Sequence, residues 1–382
     1  MERIDNVNRD RILWCCQDQG ITVDELASET DVAPATIQKF LAGEGGFTFN
    51  QLQKIADYFG RGVLFFLEPG QVQPEVVHTF QFRTLANSKP ELSPKLRALI
   101  ERVEHQRDVY LALLEDIDAE DRPTFTPPDV AGRSPEEAAA IARRWLNLGP
   151  QNSFDSYRQA IEAKGVLVFR SNGYAGRWQI AKENPILGFS IYDERCPVIV
   201  VKKQDFPARQ SFTLAHELGH VLLHRTSWID DERDFDSHEA GEQQANAFAG
   251  FFLVPDEVLA MVDDRARPAD VAAYEGWLDL PRRRSGASAE AILRRLLGVG
   301  RLSQEDYGAY RQWRQAVQVP ADDSGNRQYR YREPRHIFGD RYVRTVLGSL
   351  EAGKITLARA SSYLDSLKIR DLRQLEQFYA GH

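Results

Sequence analysis

Apolar positions along this chain change period several times, and each change marks a new element. In the first 68 residues they recur at helical spacing in four short runs: 8–19 with Ile12, Leu13 and Cys16, 23–30 with Leu26 and Ala27, 34–41 with Ile37 and Phe40, and 49–59 with Leu52, Ile55 and Phe59. Asp31-Val32-Ala33-Pro34 separates the second run from the third, with Pro34 in a first turn where its missing N–H is harmless. Helical spacing returns over 91–120 and over 135–147, the latter behind a Ser134-Pro135 start. From Gln151 the pattern is mixed: a helix to Lys164, a strand at Val166-Leu167-Val168-Phe169, and a hairpin of 186–192 and 197–201 turning at Asp193-Glu194. Phe212 to His224 is helical again, with Leu214, Leu218, Val221 and Leu222 on one face, and a second apolar helix, rich in alanine and phenylalanine, runs from Glu242 to Pro255. Helices then continue to a closing hairpin over 353–367. The pattern predicts an α+β protein, mainly helical, with a small sheet.

Composition narrows the setting. At 382 residues, 42% hydrophobic and 27% charged, the chain can bury two or three cores. No apolar run approaches the roughly 20 residues of a membrane span, and Met1-Glu2-Arg3-Ile4-Asp5-Asn6 lacks the regions of a signal peptide, so a cytoplasmic protein with no membrane partner is expected. Three cysteines, Cys15 and Cys16 adjacent and Cys196 apart, give neither a disulfide framework nor a metal knuckle. The net charge of −8 argues against broad attraction to nucleic acid, and the first 68 residues, with six cations against eleven acids, are themselves acidic.

The candidate chemistry sits on the helix from Phe212 to His224. His216 and His220 are one turn apart on one face, so their imidazoles can converge on one cation. Glu217 leans about 100° around the axis, where a carboxylate can take a proton from water on that metal. This is the H-E-x-x-H arrangement of zinc hydrolases; the alternative is a helix with two satisfied core histidines. A third ligand should come from a later helix, and Glu242 is the one carboxylate of the apolar helix that follows. Alternatively, Glu242 is solvated and merely complements the helix dipole. Asn246, one turn on, supports a ligand or faces solvent.

Phe212-Thr213-Leu214-Ala215-His216-Glu217-Leu218-Gly219-His220, followed by Leu222-Leu223-His224, by Glu242-x-x-Ala245-Asn246-x-Phe248-Ala249 and by Leu253-x-Pro255, resembles the ImmA/IrrE family of metallopeptidases. The resemblance covers about residues 160 to 256. It implies a zincin-like core with His216, His220 and Glu242 as metal ligands and Glu217 as general base. The family often has a second glutamate where this chain has Gln244, which leaves Glu242 without a competitor. The resemblance also implies a substrate: a separate helix-turn-helix repressor or antitoxin, cut to release transcription after stress or phage signals. The domains expected are a helix-turn-helix domain over 1–68, a linker and helical segment over 69–130, the zincin-like domain over 131–265 and a helical sensor domain over 266–382. Zinc suits the His/His/Glu set, with manganese as the alternative.

Other residues are candidates of lesser roles. The first domain resembles a Cro/repressor-type helix-turn-helix with 34–41 as recognition helix, where Gln38 and Lys39 reach base edges and Thr36 a phosphate; the alternative is a module that binds a protein partner or forms a homodimer. Residues 198–201 are a candidate edge strand for an extended substrate, or an ordinary buried strand. Cys196 is a candidate thiolate gate for the metal, or a buried cysteine near a turn. His224 lies too far along a straight helix to ligate with the other two, and is left to orient a ligand or bind substrate. Residues 229–242, with seven acids, read as a mobile polar loop. Between Asn326 and Arg344, six arginines interleave with three tyrosines. Arg330, Arg332 and Arg335 there suit single-stranded nucleic acid, or else form a face paired to the acidic first domain. Two readings compete with peptidase action on a repressor: a DNA-binding regulator or antitoxin-like protein whose metal fold is not catalytic, and autoproteolysis between residues 69 and 90. A structural site should be closed by a fourth protein ligand, whereas a catalytic one keeps a position for water.

Overall fold

The computed structural model describes residues 3–4, 6–72, 93–116, 124–172, 176–231, 239–317 and 327–381. The chain divides into two compact units, Met1–His105 and Gln106–His382.

In the first unit, α1 (Arg9–Gln19), α2 (Val23–Thr30), α3 (Pro34–Leu41) and α4 (Phe49–Phe59) fall where the apolar spacing puts them. Local chemistry fixes their ends. Thr22 with Glu25 and Thr48 with Gln51 form reciprocal capping boxes at the starts of α2 and α4, and Gly20 and Gly60 adopt the left-handed conformation that closes α1 and α4. Leu26, Ile37, Phe47, Leu52, Ile55 and Phe66 are fully buried between them. The start of α5 (Pro94–Asp116) belongs to this unit and its end to the second.

The second unit is built on four strands, β1 (Leu167–Arg170), β2 (Ile186–Ile191), β3 (Val198–Val201) and β4 (Trp228–Asp231), in the order β1-β3-β2-β4. β1 runs parallel to β3, and β2 is antiparallel to both β3 and β4. Two sequence expectations change here. Residues 198–201 do form a strand, but it is paired on both sides, so it has no free edge to hold a substrate. Residues 228–231, expected within or beside a polar loop, form an edge strand in which Ile229 and Asp230 are buried.

Alternation sorts the side chains onto two faces. On one, Phe169 meets Trp178, Phe338 and Tyr342 edge-on. On the other, Gly188 and Ser190 of β2, beside Asp230 and Trp228 of β4, face the helix α8 (Pro207–Gly219). Behind α8 lie α9 (Ala240–Leu253), α6 (Pro135–Trp145) and α7 (Phe154–Glu162), sharing a core that includes Leu214, Leu218, Phe248, Phe252 and Tyr157. That core continues through Tyr274, Ile292 and Tyr310, past residue 265 where a sensor domain was expected to begin.

The arginine-tyrosine stretch is not one surface. Its described part begins at Arg327 and enters α10 (Glu333–Glu351). Arg332 stacks on Tyr329, Tyr331 and Phe378, Arg335 pairs with Asp340 at 2.8 Å, Arg344 covers Tyr379, and Tyr342 is fully buried. Arg330 lies 4.0 Å from Glu333, and Arg330, Arg332 and Arg335 make these contacts while remaining exposed. Gly339 turns left-handed within α10 (φ +83°), and a Cβ there would run into the Glu162 carboxyl, which is paired to Arg158 at 3.0 Å. Residues 73–90 of the expected autoproteolysis segment lie outside the described residues. Among those described, no helix is long and apolar enough to cross a membrane.

Candidate metal centre

The site forms where α8 lies across β2 and β4. Pro207 starts α8, whose buried face carries Leu214, Ala215 and Leu218, and the helix widens into a π-helical turn over His220–His224 that Arg225 ends in a left-handed cap. His216, Glu217 and His220 are completely enclosed. Both Nε2 atoms point the same way and stand 3.0 Å apart. Glu242, in the first turn of α9 where the helix dipole favours a carboxylate, places Oε2 3.3 Å from His216 Nε2 and Oε1 3.9 Å from His220 Nε2.

A fourth donor joins them that the sequence reading missed. Asp230 Oδ2 is 3.0 Å from His216 Nε2, and its Oδ1 is 3.4 Å from His220 Nε2. Donor atoms of His216, His220, Asp230 and Glu242 all lie within 4.8 Å of one another. Nitrogen and oxygen donors about 2.0–2.1 Å from a tetrahedral cation sit roughly 3.3 Å apart, so this cluster has the dimensions of a zinc shell. The donor set suits zinc through its imidazoles and admits manganese through its carboxylates.

The surroundings fix the ligands' orientation. His220 Nδ1 lies 2.9 Å from His224 Nδ1, and His224 Nε2 lies 3.2 Å from Gln244 Oε1. Since the Gln244 oxygen only accepts, His224 carries its proton on Nε2 and accepts at Nδ1 from His220. That leaves the His220 Nε2 lone pair free to face a cation. His224 thus stands next to His220, with ring centroids 5.0 Å apart. Trp228 stacks on His220 with centroids 4.6 Å apart and donates its indole N–H to Glu242 Oε1.

Electrostatically the cluster behaves as a cation trap. Burial pulls the His216 imidazolium down, yet Asp230 and Glu242 outweigh it and raise its pKa to about 10. Burial opposes the charge on Asp230 too, but His216 and His220 hold its carboxyl well below the ordinary range. Glu217 is the reverse case: burial first, then Asp230, pushes its carboxyl well above the usual value. It lies against β2, where a Cβ on Gly188 would come within 2.7 Å of Glu217 Oε1 and 2.6 Å of Thr213 Cγ2. A glycine inside a strand was the available signal for so close an approach.

The remaining candidates are placed elsewhere or apart. Asn246 is half-buried on α9, one turn after Glu242. Cys196 is not among the four donors; it is buried near Arg107, Asp193 and Leu167, and burial pushes its thiol up to about 12. On α3, Gln38 and Lys39 are exposed and Thr36 half-exposed. Four of the six cations of the first 68 residues are engaged locally: Arg11 with Glu68, Lys54 with Asp31, Arg61 with Glu101 and Arg9 with the Leu41 carbonyl.

Residues 162–297, which carry all four strands, α8 and α9, match the family model of the IrrE N-terminal-like domain, a peptidase family. Over that stretch the chain is similar to the IrrE N-terminal-like domain. Residues 12–66, earlier in the chain, match the helix-turn-helix model. A stretch of 93 residues is 33% identical to the radiation response metalloprotease IrrE of Deinococcus radiodurans, covering 22% of this chain and 27% of that protein. The match thus spans about a quarter of the relative's length. Both similarities are to peptidases, each over part of this chain.

Proposed function

We propose that this IrrE N-terminal-like domain is a zinc-dependent endopeptidase in which His216, His220 and Glu242 hold the metal and Glu217 is the general base. The observation that carries this is two imidazole Nε2 atoms 3.0 Å apart on a buried helix, with the Glu242 carboxylate 3.3 Å from the first. Bound zinc supplies Lewis acidity, polarising the scissile carbonyl and making water a stronger acid. The chain's own residues do the rest. His224 and Gln244 fix the His220 tautomer, and the walls of the site exclude bulk water. Glu217 accepts the proton of the attacking water and passes it to the leaving amine.

The proposed substrate is a helix-turn-helix repressor or antitoxin in the cytoplasm, cut to relieve repression under stress or phage attack. Duplex DNA is the proposed partner of the chain's own helix-turn-helix, through Thr36, Gln38 and Lys39 on α3. To test this, the purified chain with zinc is incubated with the repressor encoded beside its gene. Cleavage by the wild type and none by Glu217→Gln, with zinc content unchanged, is expected. Cleavage that survives Glu217→Gln would remove the mechanism.

One observation favours a second reading, in which the metal fold is not catalytic. Asp230 supplies the fourth protein donor that closes structural zinc sites. Against it stands Glu217, an enclosed carboxylate that such a structural centre does not use and that costs stability to bury.

A further inference from the structure

The geometry points to Asp230 as a fourth protein ligand, an inhibitory one, with which edge strand β4 occupies the position that water needs and holds the peptidase latent. This rests on the proposed metallopeptidase reading and adds a state to it.

The placement of Asp230 argues for ligation rather than support. A carboxylate that merely orients a ligand histidine bonds the ring nitrogen facing away from the metal. Asp230 instead approaches Nε2 of both rings, at 3.0 and 3.4 Å, on the side where those two nitrogens converge. The outward nitrogen of His220 is already engaged by His224. Charge agrees: two neutral imidazoles with the Asp230 and Glu242 carboxylates balance a dication, so the ion and these four ligands together carry no net charge.

The element that delivers Asp230 is the one most easily withdrawn. β4 has four residues, pairs only with β2 among the described strands, and its register with β2 is broken by an irregularity between Ile186 and Gly188. Trp228 and Asp230 face the site from alternate positions of this strand, so both would leave it together. With Asp230 gone, His216, His220 and Glu242 remain on α8, its terminal turn and α9, which are packed through the core. A coordination position then opens beside Glu217 without unfolding the rest of the unit.

The test uses the full chain, wild type, Asp230→Ala and Glu242→Gln, loaded with cobalt(II) in place of zinc, with acetohydroxamate as a small probe that needs an open coordination position. The expected wild-type spectrum is that of a tetrahedral ion, unchanged by the probe. Asp230→Ala should respond to the probe and hold cobalt at least about tenfold more weakly, since even outer partners of a metal ligand are worth that much. Uptake of the probe by wild type overturns the inference, and this arm decides alone should Asp230→Ala not fold. If Asp230→Ala leaves spectrum and affinity unchanged while Glu242→Gln weakens both, the inference falls and the metallopeptidase reading stands. If wild type binds no cobalt, both fall.

Discussion

Gln38 and Lys39 of α3 project into solvent, whereas His216, Glu217, His220, Asp230 and Glu242 are each 1% exposed or less. The two polar clusters are held under different terms. A solvated side chain costs the fold almost nothing to keep, so its presence says little about use. Five ionisable groups enclosed together would cost several kcal/mol apiece if left uncompensated, and only mutual pairing or a cation offsets that. Burial is therefore itself an argument for a metal centre, and the exposed face of α3 offers no such argument for DNA.

Substitutions should separate the two clusters by size of effect. Glu217→Gln is expected to lower the cleavage rate on the order of 10²–10⁴-fold, read as kcat with zinc content unchanged. Gly188→Ala brings a methyl within 2.6 Å of Thr213 and 2.7 Å of Glu217. About 1–3 kcal/mol of stability should be lost, measured by urea unfolding, and cleavage should fall because Glu217 must shift.

Acid titration probes a buried pair away from the metal. Burial pushes the Glu162 carboxyl up to about 7 against the pull of Arg158. A carboxyl with a raised native pKa binds its proton more tightly when folded. Its stabilising contribution is complete below the ordinary value of 4.5 and is lost as pH rises through about 7. The unfolding midpoint should therefore decline across that window, and Glu162→Gln should flatten the decline. On α3, Lys39→Ala should change stability by no more than about 0.5 kcal/mol, and where duplex DNA is bound it should reduce the salt slope by about one contact, read by fluorescence anisotropy.

Much of this was legible because the chain states it locally. Thr22 with Glu25, Pro34, Gly20 and Gly60 punctuate the first unit within a few residues of the apolar runs they bound, and α1 to α4 follow directly. His216 and His220 are likewise neighbours on one helix. Asp230 was not legible. It stands in a run of acids whose composition reads as solvated loop, and only pairing with β2, some forty residues earlier, makes a strand of Trp228–Asp231 that turns Asp230 to the site. β3 misled for a related reason. It leads into the metal helix along the chain, but the order β1-β3-β2-β4 puts it in the middle of the sheet, and β4 next to the metal donors. Arginines near tyrosines, as at Arg332, stack on neighbours of their own chain as readily as they describe a nucleic-acid platform.

The central claim, that the enclosed cluster is a metal centre, is tested most directly by the zinc content of the purified chain beside that of His216→Ala and Glu217→Gln. Stoichiometric zinc in wild type and Glu217→Gln, with its loss in His216→Ala, is the predicted result. A wild type that takes up no zinc, or a His216→Ala variant that keeps it in full, would contradict the account.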